Sequence, residues 1–264
     1  MTPTARSLGV HLREWRQRRR MSQLDLALEA EISQRHLSFI ESGRSTPSRE
    51  MLLHLAERLE IPLRDRNPLL LAAGFAPVFA ERKLDDPVLQ AARRAVDMVL
   101  KGHEPFPALA IDRHWTLVAA NAAIAPLLSG VADQSLLAPP VNVLRLSLHP
   151  QGLAPHIANH AEWRAHLLDR LRQQISASGD PVLETLLTEL RSYPASERAG
   201  EGHADYAGIA VPLRLATKAG LLSLISTTTV FGTPVDITLS ELAVESFFPA
   251  DEETAAILRS IALN

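Results

Sequence analysis

Residues 21–47, MSQLDLALEAEISQRHLSFIESGRSTP, restrict the possible folds of this chain more than any other stretch. Ser22 and Ser33 are strong N-cap residues, each standing just before an apolar pattern of helical period. Between them Leu26, Ala27, Ala30 and Ile32 share one face, and after Ser33 Leu37 and Ile40 point to the same interior. That leaves Gln34, Arg35, Ser38 and Phe39 facing outward, with His36 on the flank. A short helix that buries two aliphatics and displays Gln and Arg from its first turn suits the DNA major groove. There Arg pairs bidentately with guanine and Gln with adenine. Any two short amphipathic helices share the apolar spacing, but they do not keep all the anchors in register.

The anchors Ser22-Gln23, Leu26-Ala27, Ile32-Ser33, Leu37, Ile40-Glu41, Gly43 and Pro47-Ser48 resemble the phage-repressor/Cro-type (XRE) helix-turn-helix family. The resemblance implies that Gln23 contacts the phosphate backbone and that Gln34, Arg35 and Phe39 read bases, with His36 and Ser38 on the same surface. Arg44 and Ser45, just past the reading helix, are candidates for phosphate contact. Two departures matter. The family's turn carries Gly where this chain has Glu31, so a non-Gly residue is expected at positive φ, at a cost of about 1 kcal/mol. Phe39 stands where many relatives carry a polar reader, which favours apolar contact with a thymine methyl.

Around this motif, residues 7–20 predict a first helix with Leu8, Leu12 and Trp15 inward and Arg13, Arg16, Arg18, Arg19 and Arg20 on its other sides and C-terminal end. Cations there are favoured by the helix dipole alone. Pro47-Ser48 starts a fourth helix that stops at Pro62, and residues 64–73 make a fifth that closes at Gly74. Residues 1–66 carry net charge +3 and the remainder −6, for a total of −3 over 264 residues. A basic first quarter on an acidic remainder fits a DNA-reading head on a body that does not bind DNA.

The chain has no cysteine, which excludes disulfides, Cys-based zinc sites and a Cys nucleophile and fits a cytoplasmic protein. No apolar run reaches transmembrane length and the start, MTPTARSLGV, has no signal-peptide core, so no membrane partner is expected. Neither a Gly-rich phosphate loop nor a Gly-x-Ser-x-Gly elbow occurs, so no enzyme is predicted.

Beyond Gly74, Asp86-Pro87 caps a helix running to about Lys101, read as a rigid linker over residues 75–104. From Ala108 the apolar period changes to two, predicting paired strands over 108–111 and 116–119. A helix over 121–128, a loop over 131–140, a short helical turn over 142–149, and helices over 161–176 and 181–191 follow. Strands over 207–216, 221–230 and 237–248 and a last helix after Asp251 complete the pattern. The fold expected is therefore an α head, a five-helix repressor-like helix-turn-helix over 1–74, plus an α+β PAS-like domain over 105–264. Its five-stranded antiparallel sheet should carry helices on one face.

Residues 35–41 (RHLSFIE), 67–77 (NPLLLAAGFAP), 142–155 (NVLRLSLHPQGLAP) and 231–251 (FGTPVDITLSELAVESFFPAD), with Trp115, Asn121 and Trp163-Arg164, extend the resemblance to most of the chain. They are similar to MmyB-like transcription regulators, in which an XRE head precedes a PAS-like ligand-binding domain. The resemblance implies a DNA-binding regulator whose second domain holds a small apolar, fatty-acid-like ligand and needs no other cofactor. Asn121, Arg145, His149 and Trp163 are the expected ligand-binding residues. Arg145 and His149, four apart, would hold a carboxylate at the mouth of an apolar cavity, although a structural Arg–carboxylate pair is an equal reading. His156 and His160 have the spacing of a helical zinc pair, but no Glu base lies between them, so no metal is expected. A homodimer on a two-fold duplex operator is the expected assembly. The rival reading is a ligand-independent repressor whose second domain serves only dimerisation or protein interaction.

Overall fold

A computed structural model describes residues 7–84, 86–194, 211–231 and 236–263. They form two compact units, one of residues up to Arg82 with Ser176–Gly179 and the described part of Pro234–Ser240, the other of the remainder.

The first unit contains α1 (Leu8–Arg18), α2 (Gln23–Glu29), α3 (Gln34–Glu41), α4 (Arg49–Arg58) and α5 (Leu63–Ala72). Ser22, Ser33 and Ser48 cap α2, α3 and α4, each side chain accepting from the backbone N–H three residues on. At α2 the box closes, because the Asp25 carboxylate accepts from the Ser22 N–H at 2.8 Å. Each of these five helices then ends in the same paired bonds, in which the two residues beyond the cap donate back into the last turn. For α2 these are Glu31 N–H to Leu28 O and Ile32 N–H to Ala27 O, at 3.2 and 2.9 Å. The geometry needs a left-handed residue. Gly43 and Gly74 supply it after α3 and α5, whereas Arg20, Glu31 and Glu60 are forced into it after α1, α2 and α4. Glu31 has φ 55°, as its place in the turn led us to expect. Met21, Ile32, Ile61 and Phe75 follow the turns after α1, α2, α4 and α5 and pack on the core, so the ending of each of these four helices also fixes an apolar contact. Leu12, Leu26, Leu37, Ile40, Leu52 and Leu55 are wholly buried at its centre.

The second unit begins with α6 (Gln90–Gly102), then β1 (Ala108–Ile111), β2 (Leu117–Ala120), α7 (Val143–Leu148), α8 (His160–Ser178), α9 (Pro181–Ser192), β3 (Leu213–Thr217) and β4 (Gly220–Val230). The single turn α10 (Ile237–Ser240), whose residues belong to the first unit, comes next in the chain, followed in the second unit by β5 (Ala243–Pro249) and α11 (Glu252–Ala262). The five strands form one antiparallel sheet in the order β2-β1-β5-β4-β3. Period-two alternation divides its faces. Ala108, Ala110 and Val244 meet Val96 and Leu100 of α6, while Leu109, Leu222, Leu224 and Phe247 face the cluster shared with α7, α8, α9 and α11.

Several expectations are corrected. Helices cover both faces of the sheet, because α6 packs on β1 and β5. That helix is thus part of the second unit and not a free linker rod. Residues 122–128 form a 3-10 helix with Pro126 inside it, and residues 134–137 a 3-10 turn where a loop was expected. The strand expected over 237–248 starts only at Ala243. Buried Asp236 accepts from Thr238 N–H at 2.9 Å and turns the chain into α10 first. The strand expected from 207 begins at Leu213, and residues 207–210 lie outside the described residues.

Gly9 is where α1 meets the C-terminal end of α3, and a Cβ there would stand 2.2 Å from the Glu41 carbonyl oxygen. Gly9→Ala should therefore lower stability by roughly 1–3 kcal/mol in urea unfolding, and unchanged stability would contradict the close approach. Glu31→Gly should raise stability by roughly 0.5–1 kcal/mol by relieving the left-handed strain.

Candidate nucleic-acid interface and ligand cavity

Leu37 and Ile40 of α3 are buried, so the opposite side of the helix is turned outward. Gln34 and Arg35 are exposed, and His36, Ser38 and Phe39 are half-buried beside them. Two guanidinium groups lie against the Phe39 ring, Arg35 at 5.3 Å from its centroid and Arg44 at 5.8 Å. Arg44 occupies the place after α3 where the neighbouring helices put an apolar residue. Its stacking on Phe39 substitutes a cation–π contact for the usual apolar one and keeps Arg44 at the surface. Ser45, half-buried, donates its backbone N–H to Phe39 O at 3.2 Å.

What orients this face is a buried carboxylate at the last position of α3. Glu41 accepts from Arg16 Nε at 2.6 Å and Nη2 at 2.9 Å, and from Gln23 Nε2 at 2.8 Å, with Arg13 Nε at 3.5 Å. Burial alone would push the Glu41 carboxyl up. The hydrogen bonds from Arg16 and Gln23, with the charges of Arg16 and Arg13, outweigh burial and hold its pKa below the ordinary carboxylate value. The amide nitrogen of Gln23, expected at a phosphate, is thus engaged in tying α2 to α3.

The second unit contains a cavity of about 240 Å³, partly open to solvent, between the sheet and α7, α8 and the 3-10 helix over residues 122–128. Among the described residues that line it, all but Ser147, Arg170, Ser226 and Glu245 are apolar or aromatic. Alternation supplies the sheet wall: Leu213 and Leu215 of β3, Leu224 and Ser226 of β4, Glu245 and Phe247 of β5. Helical spacing supplies the opposite wall, as Trp163, Leu167 and Arg170 follow one another down α8. Trp115 holds the floor at φ 64°, a left-handed conformation unusual for a bulky residue. It is fixed by its indole N–H to Gln174 Oε1 at 2.8 Å and by Arg170 stacked 4.9 Å from its ring.

Of the four expected ligand residues, only Trp163 lines this cavity, with its indole N–H donating to Ser147 Oγ at 3.1 Å. Arg145 is exposed and turned away, paired with Glu189 of α9 through two bonds of 2.6 and 2.7 Å, while Tyr193 donates to the same carboxylate. That is the structural-pair reading of Arg145. Burial, then the Glu189 bond, pushes the Tyr193 phenol up to about 12. His149, the C-cap of α7 ahead of Pro150, donates its N–H to Arg145 O at 2.8 Å and sets its ring edge-on against Tyr193 at 5.1 Å, beside the Arg145–Glu189 pair and away from the cavity. Its Nδ1 accepts from Gln151 N–H instead. Asn121 is buried outside the cavity, joining α6 to β1 by accepting from Ala108 N–H and donating to Leu100 O and Phe106 O. His156 ends a short 3-10 turn and only His160 begins α8, so their four-residue spacing does not make a helical pair. Burial, then Arg164, lowers the His160 pKa below the ordinary imidazole value.

Arg170 and Glu245 escaped the sequence reading. Arg170 donates to Glu245 at 2.7 and 3.3 Å and to Thr228 Oγ1 at 2.9 Å, and Thr228 in turn donates to Glu245 at 2.7 Å. The available signal was a charge of each sign interrupting an apolar phase. Arg170 lies on the Trp163–Leu167 stripe, and Glu245 lies between Ala243 and Phe247 on the inward phase of β5.

A helix-turn-helix head joined to a domain with an apolar cavity defines a class, that of ligand-binding regulators. Residues 12–65 match the helix-turn-helix family, and residues 92–261 match the MmyB-like transcription regulator ligand binding domain. The chain belongs to this MmyB-like family. Among solved structures, the chain is similar at 12% identity and TM-score 0.26 to one titled "Structure of an RNA-binding Light-Oxygen-Voltage Receptor". That match covers 97% of this chain and 63% of the other, so the chain spans less than two thirds of it. No curated protein matches the chain.

Glu41→Ala should leave Arg16 buried without its partner and cost roughly 3–5 kcal/mol, read by urea unfolding at neutral pH. Because its folded pKa is depressed, the stability Glu41 contributes is complete above its unfolded value near 4.5 and is lost as pH falls through the lower folded value. The gap between wild type and Glu41→Gln should accordingly shrink between pH 7 and pH 3. A gap independent of pH would contradict an ionised, bonded Glu41.

Proposed function

We propose that the protein is a cytoplasmic, sequence-specific DNA-binding transcription regulator acting as a homodimer on a two-fold operator. Each α3 enters a major groove, with the two grooves about 34 Å apart. The observation that carries this reading is the outward ladder Arg35–Phe39–Arg44 on a helix whose other side is locked into the core. In this reading Gln34 and Arg35 face base edges, Phe39 meets a thymine methyl, and Arg44 and Ser45 contact phosphate, with Gln23, His36 and Ser38 at the margins. The second domain binds a small apolar molecule, of which a fatty-acid-like chain is the example the family resemblance suggests, and that molecule biases operator occupancy. The cavity supports ligand binding over a domain that serves only dimerisation, because a concave apolar pocket lined from both sheet and helices is the form a small-molecule site takes. Modulation requires the ligand to bind two conformations unequally. The matched families are regulator domains, and no reaction is part of the proposal.

Selection from random duplexes at low salt should enrich a site with two-fold symmetry and half-sites about one helical turn apart. On that site Arg35→Ala should cost roughly 1–3 kcal/mol and relax one base position. Failure to enrich any sequence, or an equal loss on all sequences, would overturn the assignment of Arg35 as a reader.

A further inference from the structure

We infer that the cavity of the second domain selects an uncharged amphiphile, a slender apolar chain ending in a carbonyl or hydroxyl acceptor, over an anionic one. The inference rests on the apolar-ligand reading above and specifies its head group. Among the described residues, Arg170 and Glu245 are the only charged ones that line the cavity, and they neutralise each other through two hydrogen bonds. The Glu245 side chain is 5% exposed and carries a further bond from Thr228, so its place in the pair is fixed on two sides. A ligand carboxylate brought to Arg170 would meet a guanidinium whose charge is already balanced. It would also stand beside a second buried carboxylate, and burying a charge without a counter-charge is costly.

Donors, by contrast, are in surplus. Among the described residues, Arg170 makes three N–H bonds, two to Glu245 and one to Thr228, which leaves Nε–H and one Nη1–H without an acceptor there. Ser147 accepts from Trp163 and retains its own hydroxyl proton, and the Ser226 hydroxyl also lines the cavity. A neutral ester, ketone or alcohol oxygen satisfies such donors without adding charge. The surrounding leucines, valines and tryptophans take the chain.

Trp115 and Trp163 are cavity-lining reporters, so binding to the full chain can be followed by intrinsic fluorescence. Dodecanoic acid, its methyl ester and 1-dodecanol should be titrated at pH 8, below their aggregation limits. The ester and alcohol are expected to bind at least tenfold more tightly than the acid. Glu245→Gln, which leaves Arg170 without its counter-charge, should raise affinity for the acid at least tenfold while changing the ester little. Acid binding to the wild type as tight as that of the ester and alcohol would overturn the head-group inference and leave the apolar-ligand reading standing. Unchanged acid affinity in a folded Glu245→Gln chain would overturn it too. If none of the three compounds binds the wild type, the apolar-ligand reading fails and the inference fails with it. Should the variant not fold, the wild-type comparison decides by itself.

Discussion

The buried carboxylate of Glu41 sets the geometry on which a DNA-reading surface depends. It sits at the C-terminal end of α3 and is held by Arg16 of α1 and Gln23 at the start of α2, so one group fixes the reading helix against both of its neighbours. Gly9 lets α1 approach the Glu41 carbonyl closely enough for those bonds to form. Removing a buried ionic partner is far more disruptive than any surface pair, because the remaining charge has neither water nor counter-ion. With the helix fixed in this rotation, Leu37 and Ile40 are committed to the core. Arg35, Phe39 and Arg44 then have no alternative but the outer side.

The head was legible because its determinants are local. Ser22, Ser33 and Ser48 announce helix starts within three residues of the groups they cap, and Glu31 occupies a turn position whose left-handed geometry follows from the chain path. The apolar period then assigns the inside of each short helix without knowledge of distant contacts. Gln23 shows the limit of that reasoning. Its position on α2 was clear, but its engagement by Glu41, eighteen residues away, was not.

The cavity was less legible for the same reason reversed. Arg145 and His149 looked like a ligand pair by helical spacing, yet Glu189, forty-four residues on, takes the arginine and Tyr193 takes the His149 ring. The groups that do reach the cavity, Arg170 and Glu245, are seventy-five residues apart and meet only because the sheet places β5 opposite α8. No periodicity within a single element encodes such a pairing. It leaves only a trace, a charge where an apolar residue is due. The strained Trp115 belongs to the same site, and backbone held in a sparsely populated conformation next to a cavity is a common mark of a binding region.

The most direct test of the central claim is a backbone amide NMR titration of the full chain with its selected duplex. The amides of Gln34, Arg35, Ser38, Phe39 and Arg44 are expected to shift most, with those around Trp115 and Glu245 shifting far less. Shifts concentrated away from α3, with Gln34 and Arg35 unmoved at saturation, would contradict the assignment of that helix as the DNA-reading element.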